Sequence, residues 1–243
     1  MRSAALLVAV AVTLQLVACS RPDDHRGMVL VPGGEFQMGW DPADARTSEY
    51  YREQASPRHT VHVGSFYLDV HEVTNAEFAR RFRDHRRNER SACDDCPATD
   101  VTWFEAAEYC AAQRPAKRLP TEAEWERAAR GGADADPEAL EPYAWYSKNS
   151  GGVAHPVGRL LANGWGLHDM LGNAREWTAD WYDPTYYEGA PALDPQGPRD
   201  GQYRAERGGA FFMRAANVTS AIRYNHPPSI RLFFLGFRCA RDP

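Results

Sequence analysis

Five cysteines are the residues whose type most directly suggests chemistry, because thiolates bind metals, form disulfides and act as redox groups. Cys19 follows an apolar N-terminal segment, and the other four are Cys93, Cys96, Cys110 and Cys239. A zinc site at Cys93-x-x-Cys96 would need two further ligands at suitable spacing, and none lies nearby in the sequence. The four cysteines other than Cys19 are an even number, which in an oxidising compartment favours disulfides. A local loop disulfide is expected between Cys93 and Cys96.

The N-terminus has the pattern of an export signal. Arg2 supplies a positive charge, and residues 4–14 are apolar apart from one threonine, which is too short a stretch for a spanning helix. Leu16-Val17-Ala18-Cys19 resembles a bacterial lipobox, in which the cysteine is lipidated and becomes the mature N-terminus. We predict that residues 1–18 are a lipoprotein signal peptide and that Cys19 carries the lipid anchor. An ordinary secretory signal is the alternative.

These features predict a location in the bacterial cell envelope. Ser20 follows the cysteine, and in enteric-type sorting this resembles an outer-membrane address, facing the periplasm or the cell surface. Residues 19–27 are predicted to form a short polar tether, and residues 28–243 the folded domain.

The composition limits the class of protein. Hydrophobic residues make up 43% and charged residues 25% of the 243 residues, which excludes a disordered chain. A net charge of −5 gives no electrostatic case for nucleic-acid binding. With 19 Gly, 17 Pro and many aromatic residues, the chain is expected to form a compact domain rich in irregular backbone.

Three helix starts share one capping pattern, a threonine followed three residues later by glutamate. The pairs are Thr74 with Glu77, Thr102 with Glu105, and Thr121 with Glu124. The predicted helices run to about Phe82, from Trp103 to about Gln113, and from Glu122 to Arg130, where Gly131 ends the third.

Short apolar or alternating segments predict the strands. Residues 28–31 and 35–39 flank a Pro-Gly-Gly turn and are predicted to pair as a hairpin, whereas residues 41–57 are predicted to be a surface loop. Further predicted strands cover residues 60–63, 65–70, 176–181, 204–212 and 235–239.

Several long motifs occur in one order along the chain. They are Val29-x-x-Pro32-Gly33-Gly34-x-Phe36-x-Met38-Gly39, Glu72-Val73-Thr74-Asn75, Val101-Thr102-Trp103, Arg118-Leu119-Pro120-Thr121-Glu122-Ala123-Glu124-Trp125-Glu126, Gly166-Leu167-His168-Asp169-Met170-Leu171-Gly172-Asn173-x-x-Glu176-Trp177, Arg207-Gly208-Gly209 and Leu235-Gly236-Phe237-Arg238-Cys239. Together they resemble the formylglycine-generating enzyme (sulfatase-modifying factor) family from about Met28 to Asp242. The resemblance implies an α+β fold of low regular secondary structure, related to C-type lectins. It also implies a disulfide between Cys110 and Cys239.

The resemblance argues against the family's copper chemistry. Formylglycine generators oxidise a sulfatase cysteine with O₂ and a copper ion held by two C-terminal cysteines, and soft thiolates suit Cu(I). The corresponding positions here carry Met213 and Val218, neither of which supplies a thiolate. Copper is therefore not expected, and no catalytic residue is assigned.

The resemblance implies one structural calcium ion. Its ligands would be Asp169, Gly172, Ala174 and Glu176, because two carboxylates and backbone carbonyls on a glycine-bearing loop suit a hard cation. The alternative is that the two carboxylates pair with Arg175 or a neighbouring arginine.

Lectin-type relatives of this fold bind ligands through the segment before the final strand, which here spans residues 214–234. Its cations, amide and aromatic residue suit an anionic peptide or glycan. The candidate ligand-binding residues are Arg214, Asn217, Arg223, Tyr224, His226 and Arg231. The alternatives are a solvated loop rim and an oxidoreductase with a non-cysteine site, similar to periplasmic relatives that mature siderophore chromophores. A peptide, a protein or a glycan is the expected partner, besides the membrane.

Overall fold

A computed structural model of the chain describes residues 25–45, 47–133 and 136–243. The predicted signal peptide and Cys19 lie outside these residues, and the last tether residues, 25–27, form a turn. Within the described ranges there are four α-helices: α1 Glu49–Gln54, α2 Asn75–Arg81, α3 Trp103–Ala111 and α4 Glu122–Arg130. None of the helices in these ranges is long and apolar enough to cross a membrane.

The three predicted capping boxes are confirmed at the starts of α2, α3 and α4. In each, the threonine side chain accepts a hydrogen bond from the backbone N–H of the glutamate, whose carboxylate accepts one from the threonine N–H. Helix α4 ends at Gly131, whose φ of 60° is the left-handed conformation that glycine adopts without strain. Helix α1 lies in the segment that was predicted to be a surface loop, so that prediction is wrong for residues 49–54.

In the part of the chain that the structure describes, the strands form four small sheets. Their bounds are β1 Met28–Val31, β2 Gly34–Met38, β3 His59–Val63, β4 Phe66–Asp69, β5 Ala144–Trp145, β6 Leu171–Gly172, β7 Arg175–Trp181, β8 Arg204–Arg207, β9 Tyr224–His226, β10 Leu235–Gly236 and β11 Ala240–Arg241. The sheet orders are β1-β4-β11, β10-β7-β8-β9, β2-β3 and β5-β6. Short strands, few helices and long connections confirm the α+β fold of low regular content.

The predicted hairpin between residues 28–31 and 35–39 is wrong. Strand β1 pairs instead with β4, and β2 pairs with β3. The two neighbouring strands therefore do not pair with each other but with two strands further along the chain. Gly33 lies where the two connections pass closely, because a Cβ there would lie 2.8 Å from the backbone N of Ser65. The predicted closing strands are also shorter: β8 ends at Arg207, before two glycines with positive φ.

Two large cores hold the sheets together. One packs around Trp125 of α4, and the other around Trp177 of β7 and Phe237. The predicted disulfide between Cys110 and Cys239 is present and joins α3 to the C-terminal segment, across a sequence separation of 129. The local disulfide between Cys93 and Cys96 is also present.

Candidate functional site

The predicted copper positions lie on the loop that follows β8. Gly209 turns this loop back on itself, since a Cβ there would lie 2.9 Å from the Asn217 carbonyl oxygen. Met213 is half-buried on the loop, and Val218 is buried at the end of the short 3₁₀ turn Ala215–Asn217.

A guanidinium group lies against Met213. Arg175, at the start of β7, has Nη2 3.5 Å from Met213 Sδ, and its guanidinium lies over the Tyr224 ring at 3.6 Å and the Phe234 ring at 5.0 Å. Its Nη1 donates to Glu206 Oε2 at 3.0 Å. A fixed positive charge next to a lone thioether opposes a bound metal cation, so these residues do not fit a copper site.

Glu206 connects this arginine to a histidine. The Glu206 side chain is 0% exposed and accepts a second hydrogen bond, at 2.8 Å, from Nδ1 of His226. A carboxylate paired with arginine only accepts, so Nδ1 of His226 must carry the proton. The ring is 35% exposed, and in its neutral form Nε2 is therefore an acceptor.

A second arginine lies beside His226. Arg204 faces His226 in the β8–β9 register, and its guanidinium is held between the rings of Trp103 and Trp181, at 3.7 and 3.5 Å from their centroids. Nη1 donates to the Ala179 carbonyl oxygen at 2.5 Å. Burial lowers the pKa of Arg204 to about 10, because within the described ranges no carboxylate pairs with it.

Aromatic side chains form a rim at the other end of this surface. The rings of Phe212, Phe233 and Phe234 lie 5.0–5.5 Å apart, and the Phe212 residue is 38% exposed. The Arg90 guanidinium lies 5.5 Å from the Phe233 ring centroid.

We call the whole surface the ligand face. It runs from the phenylalanine rim to His226 and Arg204 over the buried pair Arg175 and Glu206, and it combines cations, aromatic rings and one partly exposed imidazole. Such a surface can bind an anionic ligand that has an apolar part.

The structure brings together three of the six predicted ligand-binding residues. Tyr224 and His226 lie on the ligand face, and Asn217 accepts a hydrogen bond from the Tyr224 hydroxyl through its backbone carbonyl at 2.8 Å. Arg214 is exposed on the same loop as Met213.

The expectation for Arg223 is wrong, and Arg231 lies elsewhere. Arg223 is 0% exposed and donates from Nε and Nη2 to the two carboxylate oxygens of Glu122, so it fastens β9 to α4 and cannot meet a ligand. Arg231 is exposed but is paired with Glu105 at the start of α3, at 2.6 Å. Arg223 directly precedes β9, and adjacent side chains of an extended segment point to opposite sides, so Arg223 and Tyr224 have different roles.

The predicted calcium ligands share one loop, but the arrangement does not fit a calcium site. Glu176 is fully buried, and Arg238 donates to both of its oxygens, while the Trp125 indole N–H donates to Oε2 at 2.8 Å. Asp169 accepts from the Gly158 N–H at 2.6 Å. No cluster of three or more His, Cys, Asp or Glu side chains suited to a metal ion occurs in residues 25–45, 47–133 and 136–243. Glu176 instead forms an ion pair, which was the alternative to calcium, and its partner is the neighbouring arginine Arg238 and not Arg175.

A second buried carboxylate lies near this loop. Burial and the neighbouring Asp169 raise the pKa of Glu72 well above its ordinary value, and burial also raises the pKa of Asp169. Oε2 of Glu72 and Oδ1 of Asp169 have no hydrogen-bond partner in the part of the chain that the structure describes. Burial and the charge of Asp169 therefore both oppose the charged form of Glu72.

Sequence reasoning missed Arg175, Glu206 and Arg204. A usable pattern existed in Arg204-Ala205-Glu206, where a buried alanine alternates with charged residues and predicts a strand that places both charges on one face. Nothing in the sequence pairs Glu206 with Arg175, which lies 31 residues earlier.

Comparison with known proteins agrees with this fold. Residues 15–243 match the family described as Sulfatase-modifying factor enzyme 1-like domain. The formylglycine-generating enzyme of Streptomyces coelicolor is 32% identical, over 92% of this chain and 91% of the relative. Among solved structures, Treponema denticola variable protein 1 superposes with a TM-score of 0.76 at 26% identity, over 89% of this chain and 95% of that one.

The structure of PvdO from Pseudomonas aeruginosa gives the same TM-score of 0.76 at 25% identity, over 89% of this chain and 94% of that one. The family match covers nearly the whole sequence and agrees with the fold of the described residues. The chain therefore belongs to the sulfatase-modifying factor enzyme 1-like family.

Proposed function

We propose that this chain is a lipid-anchored module of the bacterial cell envelope that binds an anionic ligand at the ligand face and does not generate formylglycine with copper. The contact between the Arg175 guanidinium and Met213 Sδ carries the proposal, because it puts a cation where family members with the cysteine pair would hold copper.

The chemistry of the ligand face supports an anionic partner. Glu206 is neutralised by Arg175, whereas Arg204 has no carboxylate partner within the described ranges, and Arg214 is exposed nearby. The phenylalanine rim offers apolar surface of the kind that anchors peptides, proteins or sugar rings.

The anchor supports the location. Cys19 lies nine residues before β1, and an extended segment of that length reaches about 30 Å, so the domain would stay close to the membrane. Stable anchoring needs more than one acyl chain, which a lipidated N-terminal cysteine supplies. Intact-mass measurement of protein extracted from membranes should show the lipid on Cys19, and an unmodified N-terminus elsewhere would contradict it.

One observation favours a second candidate, an oxidoreductase with a non-cysteine site. The imidazole of His226 is oriented by Glu206 and exposed, as a general base must be, and it lies in the same sheet as Tyr224. This candidate requires turnover of a bound substrate, which simple binding does not.

Formylglycine formation is tested directly. The purified chain, loaded with copper and supplied with O₂ and a cysteine-bearing sulfatase-motif peptide, should leave the peptide cysteine unchanged by mass spectrometry. The Streptomyces coelicolor enzyme is the positive control. Conversion of the peptide by the wild-type chain would show that the proposed absence of copper chemistry is wrong.

Ligand binding is tested by capture from envelope extract on the immobilised chain. Phe212→Ala and Arg214→Gln should reduce capture of the bound component, since Phe212 is exposed on the ligand face and Arg214 is exposed on the same loop as Met213. Arg199→Gln, on the exposed loop that follows β7, is the matched control. Equal capture by all three variants would contradict binding at the ligand face, and consumption of the captured component would favour the oxidoreductase.

A further inference from the structure

Arg204 is a cation with no ion-paired carboxylate among residues 25–45, 47–133 and 136–243. Its guanidinium is stacked between Trp103 and Trp181, and desolvation lowers its pKa, which means that the charged form is held at a cost. Asp180 is the acidic group whose charge acts on it, but Asp180 is itself buried and accepts from the Glu122 N–H. A bound anion would supply the missing charge.

The stacking leaves one edge of this guanidinium open. Nη1 is used by the Ala179 carbonyl, and Nε is buried without a partner among the described residues. Nη2 has no hydrogen-bond partner in those residues and, unlike Nε, is not enclosed, so it is the donor that a ligand can reach.

His226 provides a second contact point next to that edge. Arg204 and His226 are directly opposite in the antiparallel β8–β9 pair, where opposing Cβ atoms lie about 4.5–5.5 Å apart. Because Glu206 accepts from Nδ1, the neutral ring presents Nε2 as an acceptor for a hydroxyl group.

We propose that Arg204 and His226 form an anchor for a carboxylated sugar. The carboxylate of the sugar accepts from Arg204 Nη2, a neighbouring hydroxyl donates to His226 Nε2, and the edges of Trp103 and Trp181 border the ring. The proposal rests on the ligand-binding function given above and specifies the class of glycan that the face recognises.

The test uses oligogalacturonate as the acidic probe and maltooligosaccharide of the same length as the neutral one, with the full chain and isothermal titration calorimetry. We expect binding of oligogalacturonate only. His226→Gln should weaken it by about tenfold, the effect of losing one good hydrogen bond. Arg204→Lys, which keeps the charge but loses the planar fork and the stacking, should weaken it further.

Arg199→Gln is the control and should bind like the wild type. Melting temperatures and near-ultraviolet circular dichroism of each variant show whether the tryptophan stack has collapsed, and His226→Gln keeps the test valid if Arg204→Lys does not fold. A merely structural arginine stack would change stability in Arg204→Lys and leave affinity unchanged in His226→Gln.

If the acidic sugar binds, three results would still overturn the anchor. They are equal binding of the acidic and neutral sugars, acidic binding that neither variant weakens, and displacement of the probe by inorganic phosphate but not by acetate. The last result would indicate a phosphorylated ligand. If no acidic sugar binds while Phe212→Ala and Arg214→Gln still reduce capture from envelope extract, the anchor fails and the proposed function stands. If no acidic sugar binds and neither Phe212→Ala nor Arg214→Gln reduces capture, both the anchor and the proposed function are wrong.

Discussion

The buried ion pair between Arg175 and Glu206 permits a quantitative prediction of stability. Glu206 has a second hydrogen-bond partner in His226, so loss of either member should have a different cost. The side chains are 4% and 0% exposed, and the pair is closed by a 3.0 Å contact. Two unit charges about 4 Å apart at an effective dielectric constant of 20 interact by about 4 kcal/mol. We expect Glu206→Gln to lower the free energy of unfolding by about that amount, which lies within the 3–5 kcal/mol range for a broken buried pair.

Arg175→Met should cost less. After Glu206→Gln, Arg175 has no other carboxylate partner in the described ranges and stays buried. After Arg175→Met, Glu206 keeps its hydrogen bond from His226, whose ring is partly exposed to water. The double variant should recover most of the loss, because replacing both members of a buried pair by neutral groups removes the unpaired charge.

Urea denaturation of the wild type, both single variants and the double variant gives the four free energies of a double-mutant cycle. Nitrogen NMR of His226 provides an independent readout, since Glu206→Gln should release the Nδ1–H tautomer. A cost below about 1 kcal/mol for Glu206→Gln, or a double variant as unstable as the sum of the singles, would show that the pair is not the buried contact described here.

Three further outcomes are expected. Replacing Cys110 and Cys239 by alanine should destabilise the fold by about 4–5 kcal/mol in the chain-entropy model for a loop of this length, and denaturation curves that match the wild type would contradict it. Calcium added to EDTA-treated protein should leave the melting temperature unchanged, because Arg238 already neutralises Glu176; a calcium-dependent rise that Glu176→Gln abolishes would restore the predicted calcium site. Burial raises the pKa of Asp180 well above its ordinary value, so the folded state binds the carboxyl proton more tightly than the unfolded state does. The free energy of unfolding should therefore fall as pH rises from the ordinary aspartate range through the raised pKa. Asp180→Asn keeps an acceptor for the backbone and should flatten that decline in melting curves recorded across pH; an unchanged slope would show that Asp180 does not titrate in this way.

Features that depend on neighbouring residues could be read from the sequence. The capping boxes at Thr74, Thr102 and Thr121 are local, since a hydroxyl and a carboxylate three residues apart satisfy each other within one helical turn. The glycine after α4 is also local, because only the backbone conformation at that residue decides where the helix ends. Long ordered motifs gave the family and hence the fold and the Cys110–Cys239 disulfide.

Pairings between distant segments could not be read in the same way. Strand β1 pairs with β4, which lies about 35 residues further along the chain, whereas the sequence alone favoured a hairpin between neighbours. For Glu176, the sequence left calcium and an ion pair both open, and the choice depends on Arg238, which is 62 residues away.

The ligand face shows the same division. The sequence alone gave the expectation, through the family resemblance, that Met213 and Val218 stand where the family has its copper-binding cysteines, and it showed that the segment before the last strand is rich in polar and aromatic residues. Only the tertiary structure decided which of these side chains are buried, because a strand alternates its faces and the partner strand fixes which face meets the core. Arg223 and His226 are only three residues apart in the chain. Arg223 is buried against Glu122, whereas His226 lies on the ligand face.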